Sequence, residues 1–408
     1  MKKVTFLGDI MCEPIMLKTA KTREGTFDFD GVFCNIKGML NESDFVIGNL
    51  ETPLAGEGSG FVNELFSFNA PDEFAQAIKN AGIDFLSTAN NHCMDRGLDG
   101  LKRTVRKLEE IGVSHDGTYD DSSAEHNAFL VDIGDTRIAI VPFTYGTNYA
   151  LHHRALPDTG FVNLLHSDTA PVYINSKKGI LSSFKSFLLS PLKREQIILI
   201  KKILKMTYNK ARKDDYLNQA ETKPYFDKLK KIIRTAKDNS DIVFFYPHVG
   251  GQFNITPGIF TEYTVAQSID FGADAIVASH PHIVQKAVID RGVPCFYSIG
   301  NFSMSPNSVY LLHEHLPEYG LAVHFYIESK KILRISFSIL KIIESGEKIL
   351  TVYPVDLYKE VIKNNKQALI QLEKDIIQIY NTVTGKIISD HSIIKKEYDF
   401  FDMRGMQI

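Results

Sequence analysis

The sequence predicts an α/β fold whose polar residues collect at the ends of its strands. Two observations carry this. Runs of apolar, often β-branched residues at 4–7, 45–47, 85–89, 242–246, 275–278 and 295–299 read as buried strands. Each run ends in a short polar motif: Gly8-Asp9, Gly48-Asn49-Leu50-Glu51, Asn90-Asn91-His92, His248-Val249-Gly250, His280-Pro281-His282 and Gly300-Asn301-Phe302. In open α/β sheets, residues just past the carboxyl ends of the strands converge on one crevice, which is where ligands bind. The 408 residues leave room for one large domain with insertions or for two, and 44% hydrophobic with 23% charged residues is ordinary for a soluble globular chain.

Residues 1–146 form the first half of the domain. Pro71-Asp72-Glu73-Phe74-Ala75-Gln76-Ala77-Ile78 opens a helix with proline and acids in its first turn, Gly82 closes it, and a strand follows at 83–89. A second amphipathic helix at 100–111 ends at Gly112. Segments 129–133 and 137–143 alternate around the turn dipeptide Gly134-Asp135 and make a hairpin. Residues 147–222 break this rhythm. An irregular stretch holding His152, His153 and His166 gives way to a basic one. There Lys177, Lys178, Lys185, Lys193, Arg194, Lys201, Lys202, Lys205, Lys210, Arg212 and Lys213 face one acid, Glu195. Apolar residues interleave at roughly helical spacing, so the segment reads as a basic, mainly helical insertion with a solvated face. The sharper reading is a surface for an anionic membrane or polymer.

The second half, 223–355, resumes with a helix at 225–237 and the strands from 242–246 to 295–299. Segments 321–327, 332–339 and 348–355 read as antiparallel edge or second-sheet strands. The tail, 356–408, is a helix from about 357 to about 384 and then a polar end. The net charge of -3 gives no reason to expect nucleic acid as a partner. Cys12, Cys34, Cys93 and Cys295 form no CxxC pair and read as reduced, mostly buried thiols. No basic region precedes an early apolar run, and no apolar run is long enough to span a bilayer. The chain is therefore expected in the cytoplasm, with peripheral membrane contact through the basic insertion.

Two carboxylates, an amide and four imidazoles at the strand ends make a metal-site inventory. Oxygen donors mixed with imidazoles suit Zn, Mn or Fe rather than Ca. Asp9 and Glu51 supply carboxylates, one of which can bridge two ions; Asn91 supplies a neutral oxygen; His248, His280 and His282 supply nitrogens. Two divalent ions ~3.5–4 Å apart clamp the attacking and leaving oxygens of a phosphoryl displacement. His92, beside Asn91, points at substrate as a general acid, with Asp95 accepting its other N–H. Asn49, Asn90, Gln252 and Asn301 are expected beside the ligands or substrate, and His152 and His153 as possible substrate contacts. His115, His126, His313 and His315 receive no role.

The order Gly8-Asp9, Asn49-Leu50-Glu51, Ala-Asn-Asn-His-x-x-Asp-x-Gly over 89–97, His248-Val249-Gly250, His-Pro-His-x-x-Gln over 280–285 and Tyr-Ser-x-Gly-Asn-Phe over 297–302 resembles the CapA family of bacterial capsule-synthesis and poly-γ-glutamate-synthesis proteins. The match covers about 3–145 and 225–303. The resemblance implies a calcineurin-like metallophosphoesterase fold: two mixed β-sheets flanked by helices, with a dinuclear site at the strand ends. It implies Asp9, Glu51, Asn91, His248, His280 and His282 as ligands, His92 as the acid, and a role in making or anchoring anionic surface polymers, alongside other capsule-synthesis proteins. Three departures stand out: Ile10-Met11 where related enzymes carry Asp-x-His, and Glu13 and Asn69 where many members carry arginine. The function expected is a metal-dependent, phosphoesterase-type hydrolase of anionic small molecules or polymers. The alternatives are a non-catalytic accessory or scaffold in capsular polymer synthesis and a hydrolase or transferase acting on γ-glutamyl amide bonds.

Overall fold

A computed structural model describes residues 1–61, 66–169, 211–308, 311–344, 350–388 and 393–402. Its strands are β1 (Lys2–Ile10), β2 (Phe45–Leu50), β3 (Phe85–Ser87), β4 (Ser114–Asp116), β5 (Phe129–Ile133), β6 (Thr136–Thr144), β7 (Ile242–His248), β8 (Ala275–Val277), β9 (Ala287–Asp290), β10 (Val293–Phe296), β11 (Asn301–Ser303), β12 (Tyr319–Glu328), β13 (Lys331–Glu344), β14 (Leu350–Pro354) and β15 (Tyr398–Asp402). They build two mixed sheets. The first runs β14-β13-β12-β1-β2-β3-β4, with β11 added to β1 and β15 to β13; the second runs β5-β6-β7-β8-β10-β9. β1 to β4 are parallel, while β12 joins β1 antiparallel. In the second sheet β6, β7, β8 and β10 are parallel, and β5 and β9 close its edges antiparallel.

The two sheets face each other across one apolar layer. Successive side chains in a strand point to opposite faces, so Phe6 and Phe244 enter that layer while Leu7 and Phe245 leave it. The Phe6 ring lies 5.1 Å from Phe244, 5.4 Å from Tyr246 and 5.6 Å from Phe325. Outside the first sheet the helices Pro14–Ala20, Asp30–Phe33, Lys37–Leu40 and Asp72–Asn80 cover Leu7, Val46 and Leu86. Outside the second, Gln219–Asn239 and Ile259–Phe271 cover Val141, Val243 and Ile276. Strands covered on both faces read as unbroken apolar runs rather than alternations, which is why they stood out in the sequence.

The tail departs from the sequence expectation. The single helix expected from about 357 is two, Val355–Val361 and Lys366–Thr384, and the expected polar end returns as β15 on β13. Tyr319 Oη donates to Asp375 at 2.7 Å, tying the second of these helices to the sheet. Cys12, Cys93 and Cys295 are buried, Cys34 is exposed, and all four are free thiols. The helical part expected of the basic insertion, 177–210, lies outside the described residues. Among the described residues, no helix is long and apolar enough to cross a membrane.

Candidate metal centre

Strand register brings the motifs together. β1 and β2 pair Asp9 with Asn49, and β1 and β11 pair Asp9 with Asn301. Between sheets, Tyr246 Oη on β7 donates to Leu7 O on β1 at 2.7 Å. Gly8 is small because β11 passes over it: a Cβ there would stand 2.0 Å from Gly300 O. The His-Pro-His turn carries both imidazoles on positive-φ backbone, His280 at 107° and His282 at 59°. Such conformations cost ~1–3 kcal/mol each and cluster at functional sites. Here the turn lets His280 N donate to Asp9 Oδ2 at 3.2 Å.

Glu51 is the hub. It is fully buried, and neither carboxylate oxygen has a hydrogen-bond partner among the described residues. Oε1 lies 3.3 Å from His248 Nε2, 3.7 Å from His282 Nε2 and 3.9 Å from His92 Nε2. Two groups of donor atoms share it: Glu51 with His248 and His280, and Glu51 with Asp9 and His282. In the first, His248 Nε2 also lies 3.2 Å from His280 Nδ1 and 2.7 Å from Asn91 Oδ1. Metal bonds of ~2.0–2.2 Å in a tetrahedral shell set donors about 3.4 Å apart. The spacing around His248 and Glu51 is thus close to that of donors around one ion. An orphaned buried carboxylate ringed by imidazole nitrogens fits a divalent cation.

The electrostatics agree. Burial pushes Glu51 up to about 8, the Asp9 charge adds to this, and His282 and His92 offset part of it. Burial lowers His248 to about 4, against the pull of Asp9, and lowers His280 further with the help of His248 and His282. Their rings are therefore neutral near pH 7, with lone pairs available to a cation. These donor side chains are held from behind by further hydrogen bonds, the arrangement that orients ligating groups in metal sites. Asn301 Oδ1 lies 2.9 Å from His282 Nδ1, while its Nδ2 donates to His282 O and Pro317 O, both at 2.9 Å. Asn49 Nδ2 donates to Asp9 at 2.7 Å, and Asn90 Nδ2 donates to Leu50 O at 2.7 Å and to Asn49 Oδ1 at 3.2 Å. Gln252 stands apart: its carbonyl accepts from Arg212 N at 3.1 Å, and its side chain makes no hydrogen bond among the described residues.

On the other flank, His92 Nδ1 lies 2.7 Å from Asp95 Oδ2, which also accepts from Phe68 N at 2.7 Å. Burial alone would raise the Asp95 carboxyl; His92 and His152 outweigh it and hold Asp95 below the usual carboxylate range. The Phe68 ring packs edge-on to His92 at 4.7 Å. His152 turns to Asp95 Oδ1 at 3.0 Å, and Arg154 donates to the Asp95 carbonyl. Sequence reasoning missed Asn148, whose Oδ1 accepts from Asn91 Nδ2 at 3.1 Å. A signal existed: it lies four residues past the end of β6, another buried strand. Asn69, at an arginine position of the family pattern, is structural and ties Ala55 N, Gly56 O and Gly60 O. Glu13, at the other, is buried and accepts from Ser305 N and Ser308 Oγ.

The family described as "Bacterial capsule synthesis protein PGA_cap" matches residues 3–305. The capsule biosynthesis protein CapA of Bacillus anthracis is 25% identical over 333 residues, 78% of this chain and 65% of that protein. The PGA biosynthesis protein CapA of Bacillus subtilis is 23% identical over 300 residues, 73% of this chain and 62% of that protein. The chain thus spans under two thirds of the length of these curated relatives. A hypothetical protein of Thermus thermophilus, solved by crystallography, aligns over 83% of this chain and 98% of its own. That alignment has a TM-score of 0.43 and 14% identity, a likeness too slight to argue from.

Proposed function

The chain belongs to the bacterial capsule synthesis protein family, and on that premise we propose that it is a metal-dependent, phosphoesterase-type hydrolase serving capsule, poly-γ-glutamate or related exopolymer production. The observation that carries this reading is Glu51: a buried carboxylate without hydrogen-bond partners among the described residues, common to two groups of donors. One divalent ion would be held by Glu51, Asn91, His248 and His280, and a second by Asp9, Glu51 and His282. Such ions supply Lewis-acid polarisation and neutralise the charge that builds in phosphoryl displacement.

The remaining work falls to side chains. With Nδ1 held at 2.7 Å by Asp95, His92 turns Nε2 toward the cluster, 3.9 Å from Glu51 Oε1, where it can deliver a proton to a departing oxygen. Asp95, ionised and fully buried, fixes the tautomer and the ring plane. Phe68 and Tyr145 pack against the His92 and His280 rings and fix their planes. The substrate class that suits such a centre is an anionic small molecule or polymer; the basic residues of 177–213 would serve as its surface or as a peripheral membrane contact, beside other capsule-synthesis proteins.

The test is elemental analysis of the purified protein together with turnover of a phosphomonoester and a phosphodiester in added Mn²⁺. Two equivalents of metal, and turnover reduced 10²–10⁴-fold in His92→Ala with metal retained, are expected. Metal without turnover points to an accessory role or to a γ-glutamyl amide substrate. Neither metal nor turnover refutes the reading.

A further inference from the structure

None of the strand-end motifs lies between Gly97 and His248, yet the structure carries a short segment from that interval into the centre. Beyond β6, Tyr145 N donates to His248 O at 3.1 Å. The chain then turns at Asn148, with φ at 56°, a left-handed conformation that Asn tolerates better than most residues. From this turn Asn148 Oδ1 accepts from Asn91 Nδ2 at 3.1 Å. Its own Nδ2 lies 3.5 Å from His92 Nδ1, a contact without a lone pair to accept, since Nδ1 gives its proton to Asp95 at 2.7 Å. His152, at the end of the one-turn helix Tyr149–His152, reaches Asp95 rather than the donor cluster.

A side-chain amide is a two-ended group, and only its oxygen offers a lone pair to a cation. A half-turn about the last bond would present two N–H donors instead, next to His248 Nε2 and Glu51, and repel the ion. Asn148 decides between the two. By accepting from Asn91 Nδ2 it leaves Asn91 Oδ1 facing His248 Nε2 at 2.7 Å. Asn91 therefore needs an acceptor at that point, and in the arrangement observed Asn148 Oδ1 supplies it, with Asn148 Nδ2 turned to the His92 side.

This inference rests on the metal-centre reading above. We propose that Asn148 is a positioning residue: it locks the Asn91 amide with its oxygen toward the cation, so that a residue outside the motif set sets the affinity and ligand field of the centre. The experiment compares wild type, Asn148→Gly and Asn148→Asp as full chains, by Mn²⁺ titration calorimetry and by the visible spectrum of the Co²⁺-loaded protein. Glycine suits the positive φ and removes only the side chain; aspartate keeps an acceptor for Asn91 Nδ2. Asn148→Gly is expected to weaken Mn²⁺ binding 10–100-fold, the usual size of such an effect, and to change the Co²⁺ bands, while Asn148→Asp restores both. His152→Gln, which replaces a side chain whose ion-pair partner among the described residues is Asp95, should leave the Co²⁺ bands in place. Mn²⁺ affinity of Asn148→Gly within twofold of wild type, with unchanged bands, overturns the inference, as does an equal loss in Asn148→Asp. Wild type that binds neither ion overturns the metal-centre reading itself, an outcome distinct from the other two.

Discussion

Replacing Glu51 by glutamine should strengthen the metal-free protein and abolish its response to metal. Burial and Asp9 push the Glu51 carboxyl from 4.5 up to about 8, so the folded state binds a proton that the unfolded chain has already released. The sign follows from linkage. An acid with a raised folded pKa imposes no penalty below pH 4.5 and an increasing one as pH rises toward 8. At about 1.4 kcal/mol per tenfold, wild type loses about 3 kcal/mol between pH 5.5 and 8 from this group alone, as an order of magnitude. Asp116, which burial pushes up to about 7, adds a slope of the same sign to both proteins, so the informative quantity is the difference between them. Urea unfolding of chelator-treated protein at the two pH values measures it. Glu51→Gln should be the more stable form at both values, with an advantage about 3 kcal/mol larger at pH 8 than at pH 5.5. Added Mn²⁺ should then raise the wild-type midpoint while barely moving the variant, because the donor common to both groups is gone. A variant no more stable than wild type at pH 8 in the metal-free state would refute the desolvated, cation-seeking carboxylate from which the site is argued.

Two further predictions test the frame that holds the site. Gly8→Ala places a Cβ 2.0 Å from Gly300 O and 2.8 Å from Gly300 C, backbone atoms that cannot swing away. It should cost ~1–3 kcal/mol or more, and because Asp9 N donates to Gly300 O at 3.1 Å, Mn²⁺ affinity should fall with it; thermal melts and calorimetry read both. Asp214→Ala removes the acceptor for Gly258 N at 3.0 Å, Thr261 N at 2.9 Å and Thr261 Oγ1 at 2.5 Å, at the start of the helix Ile259–Phe271. A loss of about 2 kcal/mol or more is expected, seen as a lower urea midpoint at unchanged slope.

The sequence was most legible where one physical constraint acts on consecutive residues. A parallel strand buried on both faces must be apolar throughout, and the first residue past its end is free to be polar. Six such junctions could therefore be read directly, and the structure places Asp9, Glu51, Asn91, His92, His248, His280 and His282 around one point. Legibility failed where an element depends on a distant partner. β4 and β11 are three residues long: β4 pairs along β3, and β11 pairs with Asp9 and Ile10 of β1, just beyond the stretch of β1 that β12 covers. β15 is a short, partly exposed strand that borrows its pairing from β13. The β9–β10 hairpin turns on Arg291-Gly292, with φ of 50° and 83°. The backbone is that of a tight hairpin turn, but arginine stands where the usual Asn or Asp would have signalled it.

The same division runs through the site. Groups that face the donor cluster belong to motifs because each must be one of a few residue types. Groups that hold those groups in place need only offer an acceptor or a donor from wherever the chain passes, and many sequences can do that. Asn148 and His152 are of this second kind: they reach Asn91 and Asp95 from a turn more than fifty residues further along the chain. The distinction also accounts for Glu13 and Asn69, which fall where the family pattern has arginine. Both are buried and tied into local hydrogen bonds, Asn69 to backbone groups and Glu13 to Ser305 N and Ser308 Oγ, so neither is available to a substrate anion. Arg96 and Arg154 are the cationic side chains on the Asp95 flank. On the function proposed above, an anionic substrate would therefore be met elsewhere than at the two positions at which the family pattern carries arginine.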